Sequence, residues 1–412
     1  MPPIGRHFRR VTTSNTLIEE LDGLRGVAVL AVVLFHAAGY VLVKNLANGC
    51  YADEAGMLDH GIGWILSHGF LGVQLFFAIS GLVVTLPFAR ACRLRSPEPT
   101  LRSFYLRRLT RIEPPYFIAL ILYFTASQFF TSSGAVLSEY LVGMAYAHNL
   151  VYGDSAWAFH IAWSLEIEVQ FYLLAPLLAR IFRLESALAR RVILCLGIAM
   201  SGWYAAEYRL AASQPPPLSG PLQHGWWLGT ELVFFLVGML AAEAIASKRP
   251  RPDSPGRPFA WDILWIIGAT MVVQSYRVLT DTGAGMGLLV CGLYLLVLGT
   301  FQGSLVRTVL RSSWLSIPGG ACYTVYLLHT LLISILGRQV LRFSGDSYLG
   351  DMVLVAVPLG ITSIAISLLA FPILERPFMI HAWPSTTLRN LRRMILPERD
   401  ARSSAVPPLS GR

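Results

Sequence analysis

The sequence predicts an all-α polytopic membrane protein, a bundle of about ten transmembrane helices with both termini cytoplasmic. Three observations predict it. Of 412 residues, 54% are hydrophobic and only 14% charged, against about 25% charge in a soluble domain. Apolar runs near 20 residues recur along the chain, each long enough to cross about 30 Å of hydrocarbon. The basic residues gather in alternate short loops between those runs, the positive-inside pattern.

The candidate spans are 24–43, 64–86, 115–130, 161–182, 192–212, 226–246, 260–275, 284–301, 323–340 and 352–373. Before the first lie Arg6, Arg9 and Arg10, which place it N-in. The run 24–43 is too long for a cleaved signal and reads as an uncleaved helix. The acidic loop with Asp53, Glu54 and Asp59 suits the outside. Arg90, Arg93, Arg95, Arg102, Arg107, Arg108 and Arg111 then fall inside. An eleventh stretch, 136–150, is short and holds Glu139 and His148. Counted as a span, it would put Arg180, Arg183, Arg190 and Arg191 outside. It is therefore read as interfacial or re-entrant. The same choice puts Lys248, Arg249, Arg251 and Arg257 inside, then Arg307 and Arg311, then Arg389, Arg392 and Arg393.

The domain reading follows. Residues 1–20 form a basic cytoplasmic tail, 21–380 one membrane domain, and 381–412 a basic, Ser/Pro-rich cytoplasmic tail, disordered beside the membrane. The net charge of +9 does not point to nucleic acid, because it resides in the short loops. The 5 cysteines include no C-x-x-C pair, so neither a disulfide framework nor a metal site is expected.

Four constellations carry chemistry. Arg25 and His36 are eleven residues apart, which returns to one helix face within roughly 20° and about 16 Å along the axis. Arg25 then lies near a membrane surface and His36 near the midplane, where an ionisable group is costly. A neutral imidazole there suits general-base work; a helix-to-helix hydrogen bond is the plainer reading. Ser80 and Gly81 interrupt the apolar run FFAISGLVVT, as small-residue packing also would. RRLTRIEPPYF, Arg107 to Phe117, sets Arg107, Arg108 and Arg111 within about a turn. Pro114 and Pro115 stop or kink the chain at the boundary. Such a cluster suits bidentate phosphate binding, and topology anchoring equally. Finally, HIAWSLEIEVQFYLLAPLL brings Glu166, Glu168 and Gln170 into an apolar helix. The estimated depths let Glu168 reach His36, where a carboxylate would fix the imidazole tautomer. Tyr326 and His329, one turn apart in YTVYLLHTLL, are helix-packing residues or substrate contacts. Glu375 to Phe378 reads as a charged cap on the last span.

Together these motifs resemble the acyltransferase-3 family of integral membrane acyltransferases, from about Leu21 to Phe378. Arg25 with His36 resembles its Arg-x10-His signature, and Phe76 to Gly81 its FFxxSG motif. Arg107 to Tyr116 resembles RRxxRIxPxY. Trp163-Ser164-Leu165 with Glu168, then Phe171-Tyr172, resembles WSLxxE…FY. Tyr323 to His329 and Glu375 to Phe378 resemble the late YxxYLxH and ExPF elements. Leu82, Val169 and Cys322 depart from the usual Phe, Glu and Ser.

The resemblance implies transfer of an acyl group, usually acetyl, from cytoplasmic acyl-CoA to a hydroxyl of a carbohydrate or glycosylated, lipid-linked acceptor. It implies a multi-pass protein of the bacterial plasma (inner) membrane. On it we expect His36, Glu168 and Arg25 to be catalytic. Arg107, Arg108, Arg111 and Tyr116 are expected to bind acyl-CoA, and Ser80, Trp163, Glu166, Tyr326 and His329 to contact the acceptor. No metal is expected. Some members carry a fused extracytoplasmic hydrolase-like domain; this chain leaves no room for one, so direct transfer or a separate partner is expected. The alternative is a proton-coupled transporter or flippase, which also uses intramembrane His, Glu and Arg. No inverted repeat favours it.

Overall fold

A computed structural model describes residues 10, 18–47, 61–130, 136–152, 159–213, 227–246, 258–277, 283–345 and 348–379. The acidic loop with Asp53, the basic loop with Lys248, Arg249, Arg251 and Arg257, and the tail 381–412 lie outside the described residues, as does all of 1–20 except Arg10 and 18–20. The described residues are all helical or coil, with no strand. Helix α1 is Glu19–Ala47, α2 Gly61–Ser67, α3 Leu71–Leu94 and α4 Leu101–Phe130. Two short helices follow, α5 Leu137–Met144 and α6 His148–Tyr152. Then come α7 Ala162–Leu178, α8 Ala187–Ser213, α9 Leu228–Ala246, α10 Pro258–Ser275 and α11 Gly283–Gln302. The short α12 Leu305–Leu310 and α13 Ser313–Gly320 precede α14 Cys322–Val340 and α15 Tyr348–Leu374, which contains a π-helical stretch at Met352–Ala356.

Seven of these helices are long and apolar enough to cross a membrane: α1, α3, α8, α9, α11, α14 and α15. The sequence-derived count is about ten. The other three segments are helices too, but α4 opens on Arg102, Arg107, Arg108 and Arg111, α7 has only 17 residues, and α10 is a shorter apolar helix. Exposed Leu196, Met200 and Trp203 on α8, and Leu354, Leu369 and Ile373 on α15, give the bundle an apolar outer surface, as lipid-facing helices require.

Boundaries moved for physical reasons. Helix α1 starts at Glu19 rather than 24, its first turn acidic with Glu19, Glu20 and Asp22, which complements the helix dipole. The span expected at 64–86 is broken near Gly69, which lies against the Ala31 carbonyl with no room for a side chain. Pro114 and Pro115 do not stop the chain; α4 runs through both. Each proline forfeits a backbone hydrogen bond, and the Tyr323 hydroxyl donates to the nearby Ile112 carbonyl at 3.0 Å. Segments α12 and α13, read as loop, are helices held to α1 by ion pairs from Arg307 and Arg311 to Glu20, at 3.2 and 2.6 Å. Arg190, read as a loop charge, is buried and pairs with Glu243 at 3.1 Å, while Arg93 reaches the same carboxylate at 2.5 Å.

Two glycine seams hold the core together. On α1, a Cβ at Gly23 or Gly26 would lie 2.0 Å from the Leu310 carbonyl oxygen or 2.1 Å from that of Leu315. Between α3 and α9, one at Gly81 would lie 2.1 Å from the Phe235 oxygen, and one at Gly238 2.0 Å from the Ala78 oxygen. Such contacts suit membrane helices, which associate through close packing rather than a hydrophobic drive. Stacked Phe77, Phe235 and Phe171, at 4.8 and 4.1 Å between centroids, fill the space beside the second seam.

Gly81→Ala is expected to force α3 and α9 apart and to destabilise the protein by about 1–3 kcal/mol. Gly39→Ala meets no atom within 4 Å and serves as the control. Thermal denaturation in detergent, followed by size-exclusion, reads the difference; equal melting of the two variants would contradict the seam.

Candidate functional site

The seams position the polar residues beside them. Next to Gly26 stands Arg25, and next to Gly81 stands Ser80; each glycine fixes a helix face and turns its neighbour about 100° away from it. Both neighbours enter a cavity of about 650 Å³. It opens at the end of the bundle where α1 and α4 begin and α3 and α15 finish. Its wall holds six arginines, Arg10, Arg25, Arg90, Arg107, Arg108 and Arg111, against two carboxylates, Asp22 and Glu168. Asp22 is taken by two of them, Arg25 at 2.9 Å and Arg10 at 3.1 Å. Burial, then the neighbouring Arg111 and Arg25, lowers the pKa of Arg10. A surplus of positive charge in a low-dielectric wall makes a cavity that attracts anions.

The arginines differ in how free they are. Arg111 lies 3.6 Å from the buried Glu375, which also accepts from Thr324. Arg107 donates to Ser103 and Arg108 to the Phe104 carbonyl, both on α4; among the described residues neither forms an ion pair with a carboxylate. Arg108 also lies 3.6 Å over the Phe104 ring and 5.3 Å from that of Tyr172, which holds the guanidinium plane in place.

Deeper in, Glu168 accepts from Ser80 of α3 and from Tyr172, at 2.5 Å, one turn on in α7. It shares no hydrogen bond with His36. The two stand on different sides of Tyr326: Glu168 lines the cavity, and His36 lies among the histidines behind that ring.

Tyr326 closes the inner end of the cavity, its hydroxyl bonded to Ser164 at 2.6 Å and to the Ile161 carbonyl at 3.2 Å. Behind it is a histidine cluster. The His329 ring centroid is 5.5 Å from that of Tyr326 and 4.9 Å from that of His36, and the His160 ring is 6.0 Å from His36. Among the described residues, no group of His, Cys, Asp and Glu has metal-binding geometry.

Five expected site residues lie outside the cavity: His36 and His329, behind Tyr326, and Tyr116, Glu166 and Trp163. Tyr116 is fully buried, stacked 4.4 Å from Tyr146, with its hydroxyl on the Gly143 carbonyl at 2.8 Å. Glu166 accepts the backbone N–H groups of His148 and Asn149, at 3.1 and 2.9 Å. Trp163 packs edge-on to Phe77, 6.2 Å away. Tyr116 and Glu166 hold down α5 and α6, the segment that breaks into helices of 8 and 5 residues. Non-helical backbone at that depth must be buried and hydrogen-bonded, and Glu166 supplies the acceptors. The sequence reading missed His160, Tyr172, Arg10 and the Asp22 bridge. Tyr172 at i+4 from Glu168 and Asp22 at i−3 from Arg25 shared helix faces with known candidates; His160 had no comparable signal.

A multi-pass helical membrane protein with a cationic cavity and buried histidines is the class these features define. The model of an acyltransferase domain, Acyl_transf_3, matches residues 18–371, and the chain belongs to that acyltransferase family. It is 23% identical over 393 residues to the peptidoglycan O-acetyltransferase OatA of Listeria monocytogenes, covering 90% of this chain and 58% of that protein. A putative peptidoglycan O-acetyltransferase of Bacillus subtilis, YrhL, is 28% identical over 212 residues, 47% of this chain and 30% of that one. A putative O-acetyltransferase of Staphylococcus aureus is 29% identical over 176 residues, 39% of this chain and 24% of that one. The chain thus spans about three fifths of the first relative and under a third of the other two. No solved structure matches it.

Glu166→Gln is expected to leave one α6 amide without its acceptor and to loosen that segment by about 1–3 kcal/mol. Faster hydrogen–deuterium exchange at residues 148–152 reads this. Unchanged exchange with a raised KM for an acceptor would return Glu166 to the substrate side.

Proposed function

We propose that this protein is an integral membrane O-acyltransferase that takes an acetyl group from cytoplasmic acyl-CoA and transfers it to a hydroxyl of a cell-envelope carbohydrate. On this reading the bundle has ten spans with both termini cytoplasmic, and it resides in the plasma (inner) membrane of a bacterium. The Listeria and Bacillus relatives are named for peptidoglycan, which makes a peptidoglycan sugar the first acceptor to try. One observation carries the reading: Arg107 and Arg108 line a cavity of about 650 Å³ whose wall holds six arginines against two carboxylates, and neither forms an ion pair among the described residues. Guanidinium groups so placed suit the phosphates of a coenzyme A.

In this mechanism acyl-CoA supplies a thioester carbonyl. Arg107, Arg108 and Arg111 hold its phosphates at the cavity mouth. Arg25, next along the wall, faces developing negative charge. The thioester arm passes the Tyr326 ring, and His36 Nε2 behind it takes the proton of the acceptor hydroxyl as the oxygen bonds to the acyl carbon; the C–S bond breaks and the thiolate leaves to be protonated. Ser80, Glu168 and Tyr172 form a hydrogen-bonded unit that shapes the cavity between the two ends.

Acetyl-CoA binding to the full chain in nanodiscs tests the donor site. Arg107→Gln/Arg108→Gln is expected to weaken binding about 100-fold, from two contacts at about 1.5 kcal/mol each. A folded wild type without saturable binding would overturn the proposal and favour a carrier.

His36→Ala is expected to abolish acetyl transfer while leaving acetyl-CoA binding and expression near wild type. An active variant would remove His36 as the base.

A further inference from the structure

His36 does not have a carboxylate behind it; it has a second imidazole. His36 Nδ1 lies 2.9 Å from the Val32 carbonyl oxygen and 3.3 Å from His329 Nε2. His329 Nδ1 lies 2.7 Å from the Tyr326 carbonyl oxygen. A carbonyl oxygen only accepts, so each Nδ1 must carry the hydrogen. That assignment leaves a lone pair on each Nε2. The one Nδ1–H of His36 is then shared between the Val32 carbonyl and the His329 Nε2 lone pair, and the His36 Nε2 lone pair is left to take a proton.

We propose that His329 is the positioning residue of His36: it accepts from Nδ1–H, holds the ring in the tautomer whose Nε2 is basic, and shares the charge when that nitrogen is protonated. This rests on His36 being the base of the proposed acyl transfer. In many enzymes a carboxylate fills this role. In the interior of a membrane bundle an ionised carboxylate is costlier to desolvate than a neutral imidazole. His329 is completely buried, and its own ring is fixed by a carbonyl one turn back on α14, so the acceptor is preorganised. The groups facing His36 are His160, His329 and Phe35, with ring centroids at 6.0, 4.9 and 5.0 Å. None of them is acidic. His329 therefore occupies the place in which Glu168 was expected.

The proposal separates accepting a hydrogen bond from merely filling space. His329→Gln puts a side-chain oxygen where Nε2 was, and His329→Leu and His329→Met do not. In the full chain in nanodiscs, with [14C]acetyl-CoA, the Leu and Met variants are expected to lose about 100-fold in kcat, within the range a positioned base contributes. Their acetyl-CoA binding and KM should stay within about twofold of wild type, which also reports that they fold. The Gln variant is expected to recover to within about tenfold of wild type, with the same pH profile on the acidic side. A Leu or Met variant with wild-type kcat would overturn the proposal. So would a Gln variant that binds acetyl-CoA and is as slow as Leu. Full activity of His36→Ala would instead remove the base reading itself, leaving the two failures distinct.

Discussion

The structure depends on close approach of backbones at glycine. In hydrocarbon there is little hydrophobic drive between helices, so association relies on contact area and interhelical hydrogen bonds. At Gly23 and Gly26 of α1, and at Gly81 and Gly238 between α3 and α9, a carbonyl of the partner helix occupies the space a side chain would take. Once those faces are set, the rotation of each helix is no longer free. Arg25 and Ser80 follow their glycine neighbours into the cavity. Packing and site are thus encoded in the same dipeptides, Arg25-Gly26 and Ser80-Gly81.

Buried ionisable groups elsewhere follow the same economy. Glu243 holds Arg93 and Arg190, Asp22 holds Arg10 and Arg25, and Glu375 lies beside Arg111. Each of these three acids has its cation, as burial of charge favours. Arg107 and Arg108 break the pattern, and they do so where the wall meets open space. Glu166 answers a different need. It accepts two amides of a short helix that a membrane could not otherwise accommodate.

Most of the architecture was legible from hydropathy and loop charge, because both report transfer free energies directly. The helical class, the positions of seven long apolar helices, and the shortness of 136–150 were readable that way. The break at Gly69 was not, since it depends on a tertiary contact with α1. Nor was the passage of α4 through Pro114 and Pro115, which tertiary packing against neighbouring helices permits. At the site, Arg25, Ser80, the α4 arginines and Glu168, singled out in the sequence as separate constellations, line one cavity. Sequence pattern misplaced Tyr116 and Glu166, whose polarity serves the re-entrant backbone. It also matched Glu168 to His36, because depth inferred from approximate helix ends does not report on which side of Tyr326 each side chain stands.

The partition at Tyr326 has an electrical consequence. A cavity lined by six arginines admits water and ions, and so carries the potential of its own side deep into the bundle. The layer beyond it begins at Tyr326, with Ser164 and Ile161 holding its hydroxyl, and behind it stand the half-buried His36 and the buried His329. Across that layer the transmembrane voltage is concentrated rather than spread over the full thickness of the bilayer. An elementary charge crossing the whole potential changes energy by about 2.3 kcal/mol per 100 mV. A proton shifted by a few ångströms between histidines there senses a far larger share of that energy than one moved the same distance in an unhollowed bundle, which ties proton movement at this cluster to the energised state of the membrane.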